Sequence, residues 1–195
     1  MDRLLPPAIN VLVAFYQERG RVRHASMPVT SVRYNNDAFQ EVFCMRIRED
    51  NLDGPEIAEM LREHIRNAHE HSPGQSAHTM DLHELRSPEI TFWTVWQEQD
   101  LLGCGALKEL DTKHGELKSM WTGTAHRGKG VGSSMLRHII KEAQSRCYSR
   151  LSLETGSMDA FAAARALYAR FGFEYQGPFA DYKEDPQSVF MSLIL

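Results

Sequence analysis

The chain has 195 residues, of which 42% are hydrophobic and 25% are charged, and its formal net charge at pH 7 is −4. This composition is that of an ordinary globular protein with one domain, or with one domain and an appendage. A small negative charge gives no electrostatic reason to expect nucleic acid or an anionic membrane as a partner. No apolar run reaches the roughly 20 residues that a membrane-spanning helix needs, so neither kind of partner is predicted.

The cysteines stand apart in the sequence. Cys44, Cys104 and Cys147 show no C-x-x-C spacing and no other paired pattern. Isolated thiols of this kind are typical of proteins that stay in a reducing compartment. We therefore predict a cytoplasmic protein with free cysteines.

The first part of the chain differs from the rest. Residues 1–44 lack a sustained hydrophobic period and contain prolines and a basic cluster. The periodic segments that build a core begin only after them. We predict that residues 1–44 form a loosely ordered N-terminal extension and that residues 45–195 form a complete domain.

Strands and helices follow one another in a clear order in the second part. Runs rich in β-branched and aromatic residues predict strands at 43–48, 90–96, 101–110, 117–122, 150–154, 173–175 and 189–194. A period of 3.6 residues predicts helices at 55–68, 82–85, 132–145 and 159–171. This order predicts an α/β fold with a mixed, mostly antiparallel central sheet and helices on both faces.

A glycine-rich turn separates the predicted strand 117–122 from the helix that starts at Gly132. Residues 127–133 read R-G-K-G-V-G-S. Glycines before a helix let several backbone N–H groups converge on one anion, and the helix dipole adds partial positive charge at the same place. The pattern predicts a site for a phosphate or a pyrophosphate.

Two common phosphate-binding motifs do not fit this turn. A P-loop requires Gly-Lys followed by Ser or Thr, but Lys129 is followed by Gly130. The dinucleotide fingerprint requires a third glycine at the position of Ser133. What remains is R-x-x-G-x-G, formed by Arg127, Gly130 and Gly132, which resembles the pyrophosphate loop of the GNAT superfamily of acetyl-CoA-dependent N-acetyltransferases.

Further segments extend the resemblance over residues 45–195. The stretch 116–120, E-L-K-S-M, precedes the loop at the spacing of the family's central strand, and 167–173 matches the L-Y-x-x-x-G-F signature after it. Several strings are similar to a group of small microbial GNAT proteins that includes indoleacetic-acid acetyltransferases; they lie at 88–93, 103–110, 151–156 and 178–182.

The resemblance implies acetyl-CoA as co-substrate and assigns residues to it. The pyrophosphate would be held by Arg127, Gly128, Lys129, Gly130, Val131, Gly132 and Ser133. The pantetheine arm would pair with the end of the central strand at Met120, Trp121 and Thr122. A backbone N–H near Met120 or Trp121 would polarise the thioester carbonyl.

The resemblance also implies catalytic residues. Tyr168 matches the family's general acid for the departing thiolate, with a core tyrosine as the alternative interpretation. Glu116 matches a general base in some members, with a partly exposed strand-end glutamate as the alternative. His78 is a further candidate among several histidines, whereas no metal site is predicted. Phe161 departs from the family, which often has a cofactor-binding asparagine there, and Trp121 departs from the subfamily's arginine.

The predicted function is transfer of an acetyl group to the amine of a small molecule. One alternative is a protein or peptide acetyltransferase with the same chemistry. Another is an acyl-CoA-binding module without activity, which the presence of both Tyr168 and Glu116 argues against. A second copy of the chain, in a homodimer, is kept as an option among the partners.

Overall fold

A computed structural model describes residues 45–71 and 82–195. The predicted N-terminal extension, 1–44, and the candidate His78, within 72–81, lie outside the described residues. Within the described ranges, no helix combines the length and the apolar character that crossing a bilayer would require.

One seven-stranded sheet forms the centre of the domain. Its order is β1-β2-β3-β4-β5-β7-β6, and every neighbouring pair is antiparallel except β4 and β5, which are parallel. The strands are β1 Arg46–Glu49, β2 Ile90–Gln97, β3 Asp100–Asp111, β4 His114–Thr122, β5 Arg150–Gly156, β6 Glu174–Gln176 and β7 Ser188–Ile194. The prediction of a mixed, mostly antiparallel sheet is confirmed.

Helices cover both faces of the sheet, as predicted. They are α1 Pro55–His71, α2 Leu82–Leu85, α3 Val131–Ser145 and α4 Ala162–Arg170. Short 3-10 turns precede two of them, at Thr124–His126 and Asp159–Phe161.

Two apolar cores lie on opposite sides of the sheet because strand side chains alternate between its faces. On one side, α3 buries Met135, Leu136 and Ile139 against strand residues that include Leu117 and Leu153. On the other side, α1 and α2 bury a smaller set against β2 and β3: Leu52, Ile57, Met60, Leu61, Leu85, Phe92, Cys104 and Ala106. The sheet is thus held between two helical layers.

The central strand is longer than its sequence suggests. The pattern predicts a turn over residues 111–115, but β4 begins at His114, which pairs with Asp111 of β3. The Asp111 carboxylate accepts the backbone N–H of Lys113 at 2.7 Å and so stabilises a tight two-residue turn. Glu116 therefore lies inside the strand and is only 3% exposed, which rules out the interpretation of a partly exposed strand-end glutamate.

The helix predicted at 159–171 is divided. Residues Asp159–Phe161 form a 3-10 turn, and the α-helix begins only at Ala162. Phe161 packs against the backbone of Gly156, where an added Cβ would lie 2.4 Å from its ring. The hydrophobic pattern could not show this contact because it joins two separate elements.

Candidate active site

The two parallel strands separate part of the way along the sheet. Pairing between β4 and β5 runs from His114–Arg150 to Leu117–Leu153 and then stops, although both strands continue. A cavity of about 800 Å³ opens between the diverging strands. It is lined by residues 118–122 of β4, residues 154–156 of β5, the start of α3 and one face of α4.

A β-bulge shapes the β4 wall of this cavity. Between the pairs Cys104–Trp121 and Ala106–Lys118, β4 has one residue more than β3. Ser119, within the bulge, has a left-handed φ of 50°, and its carbonyl accepts the thiol of Cys104 at 3.5 Å. Because a bulge increases twist and redirects the chain, this feature accompanies the divergence of β4 from β5.

The start of α3 closes one end of the cavity. Gly128 and Gly130 have φ values of 75° and 84°, a conformation that L-residues with a side chain rarely adopt. Gly130 is the N-cap, and the first turn of α3 contains no acidic residue. The first N–H groups of the helix are unpaired within the helix, so the turn carries partial positive charge toward the cavity.

Three side chains stack at the junction between β4 and this turn. The Arg127 guanidinium lies 4.8 Å from the centre of the Trp121 ring, and the His64 ring of α1 stacks on Trp121 at 5.0 Å. Burial lowers the pKa of His64 to about 4. The cavity wall therefore carries a neutral imidazole at pH 7.

Tyr168 lies on the face of α4 that lines the cavity and is 7% exposed. Burial, together with the negative charge of Glu154, raises the pKa of its phenol far above the ordinary value. The phenol keeps its proton at any physiological pH. It can therefore act as a proton donor and not as a phenolate.

Glu116 forms a buried cluster with two neighbours. Its carboxylate accepts the Tyr182 hydroxyl at 2.7 Å and the Lys118 ammonium at 3.1 Å, and Lys118 also donates to the Tyr182 oxygen at 2.7 Å. Burial, followed by the charge of Glu116, raises the pKa of Tyr182. Lys118 lines the cavity, whereas Glu116 does not.

The structure brings together most of the residues predicted for the cofactor. Those that line the cavity are Met120, Trp121, Thr122, Arg127, Gly128, Gly130, Val131, Gly132 and Ser133. Lys129 is exposed and does not line it. Phe161, which replaces the family's asparagine, forms part of the wall.

Several residues of the wall are not predicted from the sequence, among them one carboxylate and one imidazole. Glu154 of β5 and His64 of α1 line the cavity together with the predicted set. His64 falls in a histidine-rich stretch whose default interpretation is a solvated segment, and Glu154 stands in an ordinary strand pattern. Neither carries a sequence signal of its own, because His64 is placed by its contact with Trp121 and Glu154 by the register between β4 and β5.

The architecture and the site define an acyltransferase. The chain belongs to the acetyltransferase (GNAT) family, whose model matches residues 55–173. It is 55% identical over 148 residues to the uncharacterized N-acetyltransferase YsnE of Bacillus subtilis, covering 76% of this chain and 98% of that protein. These findings confirm the predicted family and make the protein an N-acetyltransferase of the GNAT fold.

Two further comparisons extend this relationship. The chain is 36% identical to an IAA acetyltransferase of Azospirillum brasilense, over 69% of this chain and 88% of that protein. A GNAT family acetyltransferase of Elizabethkingia anophelis, solved with acetyl-CoA bound, shares the fold at a TM-score of 0.56 and 16% identity. That superposition covers 77% of this chain and 98% of the other.

Proposed function

We propose that the protein transfers an acetyl group directly from acetyl-CoA to the amine of a small molecule. The observation that carries this proposal is the gap between β4 and β5, which opens next to the start of α3. The extended pantetheine arm of acetyl-CoA can enter such a gap between the strands, while the pyrophosphate of the cofactor stays at the start of α3. The reacting carbon then lies between the two strands.

The anion-binding end suits a pyrophosphate. The turn from Gly128 to Ser133 presents backbone N–H groups at a helix start that has no carboxylate of its own in its first turn. Arg127 adds a full positive charge at the same end. The pantetheine amides would pair with the β4 edge from Met120 to Thr122, beyond the last contact with β5.

The chemistry requires a proton for the departing CoA thiolate. Tyr168 is the hydroxyl-bearing side chain of α4 on the cavity wall. Its raised pKa makes it a weaker acid than an ordinary phenol, so it gives its proton only as it receives another from the attacking nitrogen. Tyr168 is therefore assigned as the general acid in a coupled transfer.

The size of the cavity supports a small acceptor over a protein. A volume of about 800 Å³ is within the range of small-molecule sites, and the arm of acetyl-CoA would fill much of it. The Tyr182–Glu116 hydrogen bond also ties the segment between β6 and β7 to β4 at the acceptor end. A peptide would need an open groove there.

Free-thiol release from acetyl-CoA tests the function with a panel of alkylamines, arylamines, amino acids, polyamines, short peptides and IAA. We expect release that depends on a small amine, with the acetylated product identified by mass spectrometry. Release that depends only on peptides would favour the protein acetyltransferase alternative. Acetyl-CoA binding by calorimetry without release for any acceptor would contradict the proposal and favour a binding module.

A further inference from the structure

Glu154 is distinguished by the charge it brings to the cavity. Among the described residues, it supplies the sole carboxylate of the cavity wall. The cationic side chains of that wall are Arg127, Arg170 and Lys118, the last of which is paired with Glu116. A cationic acceptor entering this part of the cavity would meet one compensating anion, and that anion is Glu154.

The position of Glu154 follows from the register of the strands. Leu153 forms the last parallel pair with Leu117, so Glu154 and Lys118 are the first residues beyond the point of divergence. Leu153 packs in the core with α3, and Glu154 points to the opposite face because successive strand side chains alternate. The carboxylate thus lies where the two strands begin to separate.

Its orientation is fixed by β7. The Ser188 hydroxyl donates a hydrogen bond of 2.7 Å to Oε1 of Glu154. The negative charge of Glu154 contributes to the raised pKa of both Tyr168, from α4, and Tyr182, from the segment between β6 and β7. The carboxylate therefore lies within electrostatic reach of two phenols that come from different elements.

Glu116 is less suited to meet an acceptor. It is 3% exposed, and one of its oxygens already accepts from both Tyr182 and Lys118. A proton from the acceptor would have to reach it through one of those two groups. Its placement favours a positioning role, in which it holds Lys118 and Tyr182 in place.

We propose that Glu154 is the catalytic residue that binds the acceptor's ammonium group and removes its proton, and that the acceptor is a basic alkylamine. This inference rests on the proposed acetyltransferase function. An alkylamine is protonated at pH 7 and cannot attack a thioester until it loses a proton. An arylamine or an indole nitrogen carries no such proton and does not need this carboxylate before attack.

Atoms and charge balance in this step. The carboxylate of Glu154 takes one proton from R–NH₃⁺, and the free amine forms a C–N bond with the thioester carbon. The C–S bond breaks, the CoA thiolate takes the proton of Tyr168, and the phenol recovers a proton from the positively charged nitrogen. The products are the amide and CoA thiol, and the proton on Glu154 passes to solvent.

Glu154→Gln tests the proposal in the full-length protein, with the best alkylamine of the acceptor panel. Glutamine keeps an oxygen that can accept from Ser188, so we expect normal acetyl-CoA binding by calorimetry. We expect kcat/KM for the alkylamine to fall by about a hundredfold or more at pH 7. Between pH 7 and pH 9 the kcat/KM of the variant should rise about tenfold per pH unit, because the unprotonated fraction of the amine rises at that rate.

Two matched variants complete the test. Glu174→Gln removes the same charge from an exposed position on β6 and should keep kcat/KM within about twofold. Glu116→Gln should lower kcat/KM less than Glu154→Gln does, and its kcat/KM should not recover at high pH. The Glu154 proposal is overturned if Glu154→Gln retains activity, if its loss is not recovered at high pH, or if Glu116→Gln shows the loss and the recovery instead.

The acceptor panel separates this proposal from the function on which it rests. Acetyl transfer to arylamines but to no alkylammonium group, whether in a small molecule or in a peptide, would leave an acetyltransferase and overturn the role of Glu154. No transfer to any acceptor would overturn the proposed function itself.

Discussion

Among the described residues, some polar side chains of the site are paired with other residues of the protein, and others are not paired with a charge. Lys118 and Glu116 form an ion pair in β4, whereas Tyr168 is a buried residue of the cavity wall. The ion pair stabilises the wall, and Tyr168 is placed where a bound ligand can reach it. Two predictions concern single residues, Tyr168 and His64.

Tyr168→Phe should separate catalysis from binding. Phenylalanine fills nearly the same volume, so the fold and acetyl-CoA affinity should be kept, whereas kcat should fall by about a hundredfold because a general acid is lost. Steady-state thiol release gives kcat, and calorimetry gives the affinity. Tyr148→Phe, which removes a hydroxyl bonded to Glu109 instead, is the control. An unchanged kcat in Tyr168→Phe would assign Tyr168 to the core alone.

His64 should make the folded state sensitive to acid. Its pKa is about 4 in the folded protein, against 6.5 for an unperturbed histidine in an unfolded chain. Between these values the unfolded chain binds more protons, so the stability present above pH 6.5 is lost as the pH falls toward 4. The loss is at most about 3 kcal/mol.

His64→Phe keeps a ring against Trp121 but removes this titration. Urea unfolding at pH 7, 5.5 and 4.5 should show a smaller loss of unfolding free energy in the variant than in the wild type. Equal losses in both proteins would show that other groups account for the acid sensitivity.

At the scale of elements, the start of α3 depends on two glycines that adopt a left-handed backbone conformation without strain. Gly128 and Gly130 allow the left-handed turn, and neither would place a Cβ within 4 Å of another atom. Space is therefore not the reason for glycine at these positions; backbone conformation is. This backbone conformation places the start of α3, with Gly130 as its N-cap, beside the cavity.

Gly130→Ala should therefore destabilise the protein and weaken acetyl-CoA binding. The strained left-handed conformation costs about 1–2 kcal/mol, which lowers Tm by about 2–8 °C for a chain of this size. Gly177→Ala is the matched control, because its Cβ also meets open space but its φ is not left-handed. Differential scanning calorimetry and ligand titration compare the two, and equal Tm values would contradict the role of the left-handed turn.

At the scale of the whole molecule, the site couples elements that lie far apart in the chain. The cavity is lined from α1 through β4, α3, β5 and α4, so its shape exists only when the sheet and both helical layers are assembled. A ligand bound there must stabilise the entire domain against unfolding.

Acetyl-CoA at about 100 times its Kd should raise the free energy of unfolding by about 2.7 kcal/mol. The corresponding rise in Tm is about 5–11 °C, measurable by thermal shift. Adenosine, which has no pyrophosphate, should produce a much smaller rise at the same concentration. An equal rise with adenosine would contradict the assignment of the α3 start as the main anchor.

Much of this fold was predictable because hydrophobic period and turn chemistry act locally. The order of the strands and helices, the glycine turn before α3 and the position of Tyr168 on its helix all follow from short stretches of sequence. The differences lie at the ends of elements: β4 begins at His114 within the predicted turn 111–115, and the predicted helix 159–171 is divided where Phe161 meets Gly156 of another element.

The sequence by itself determined the family, and it predicts the anion-binding turn and the candidate acid, because each is written in contiguous residues with a fixed spacing. Only the tertiary structure decided which glutamate meets the cavity. Glu116 and Glu154 both lie in strands, but the point where β4 and β5 separate leaves Glu116 covered by Lys118 and Tyr182 and places Glu154 on the wall. That outcome depends on the register between strands more than thirty residues apart, which no local pattern encodes.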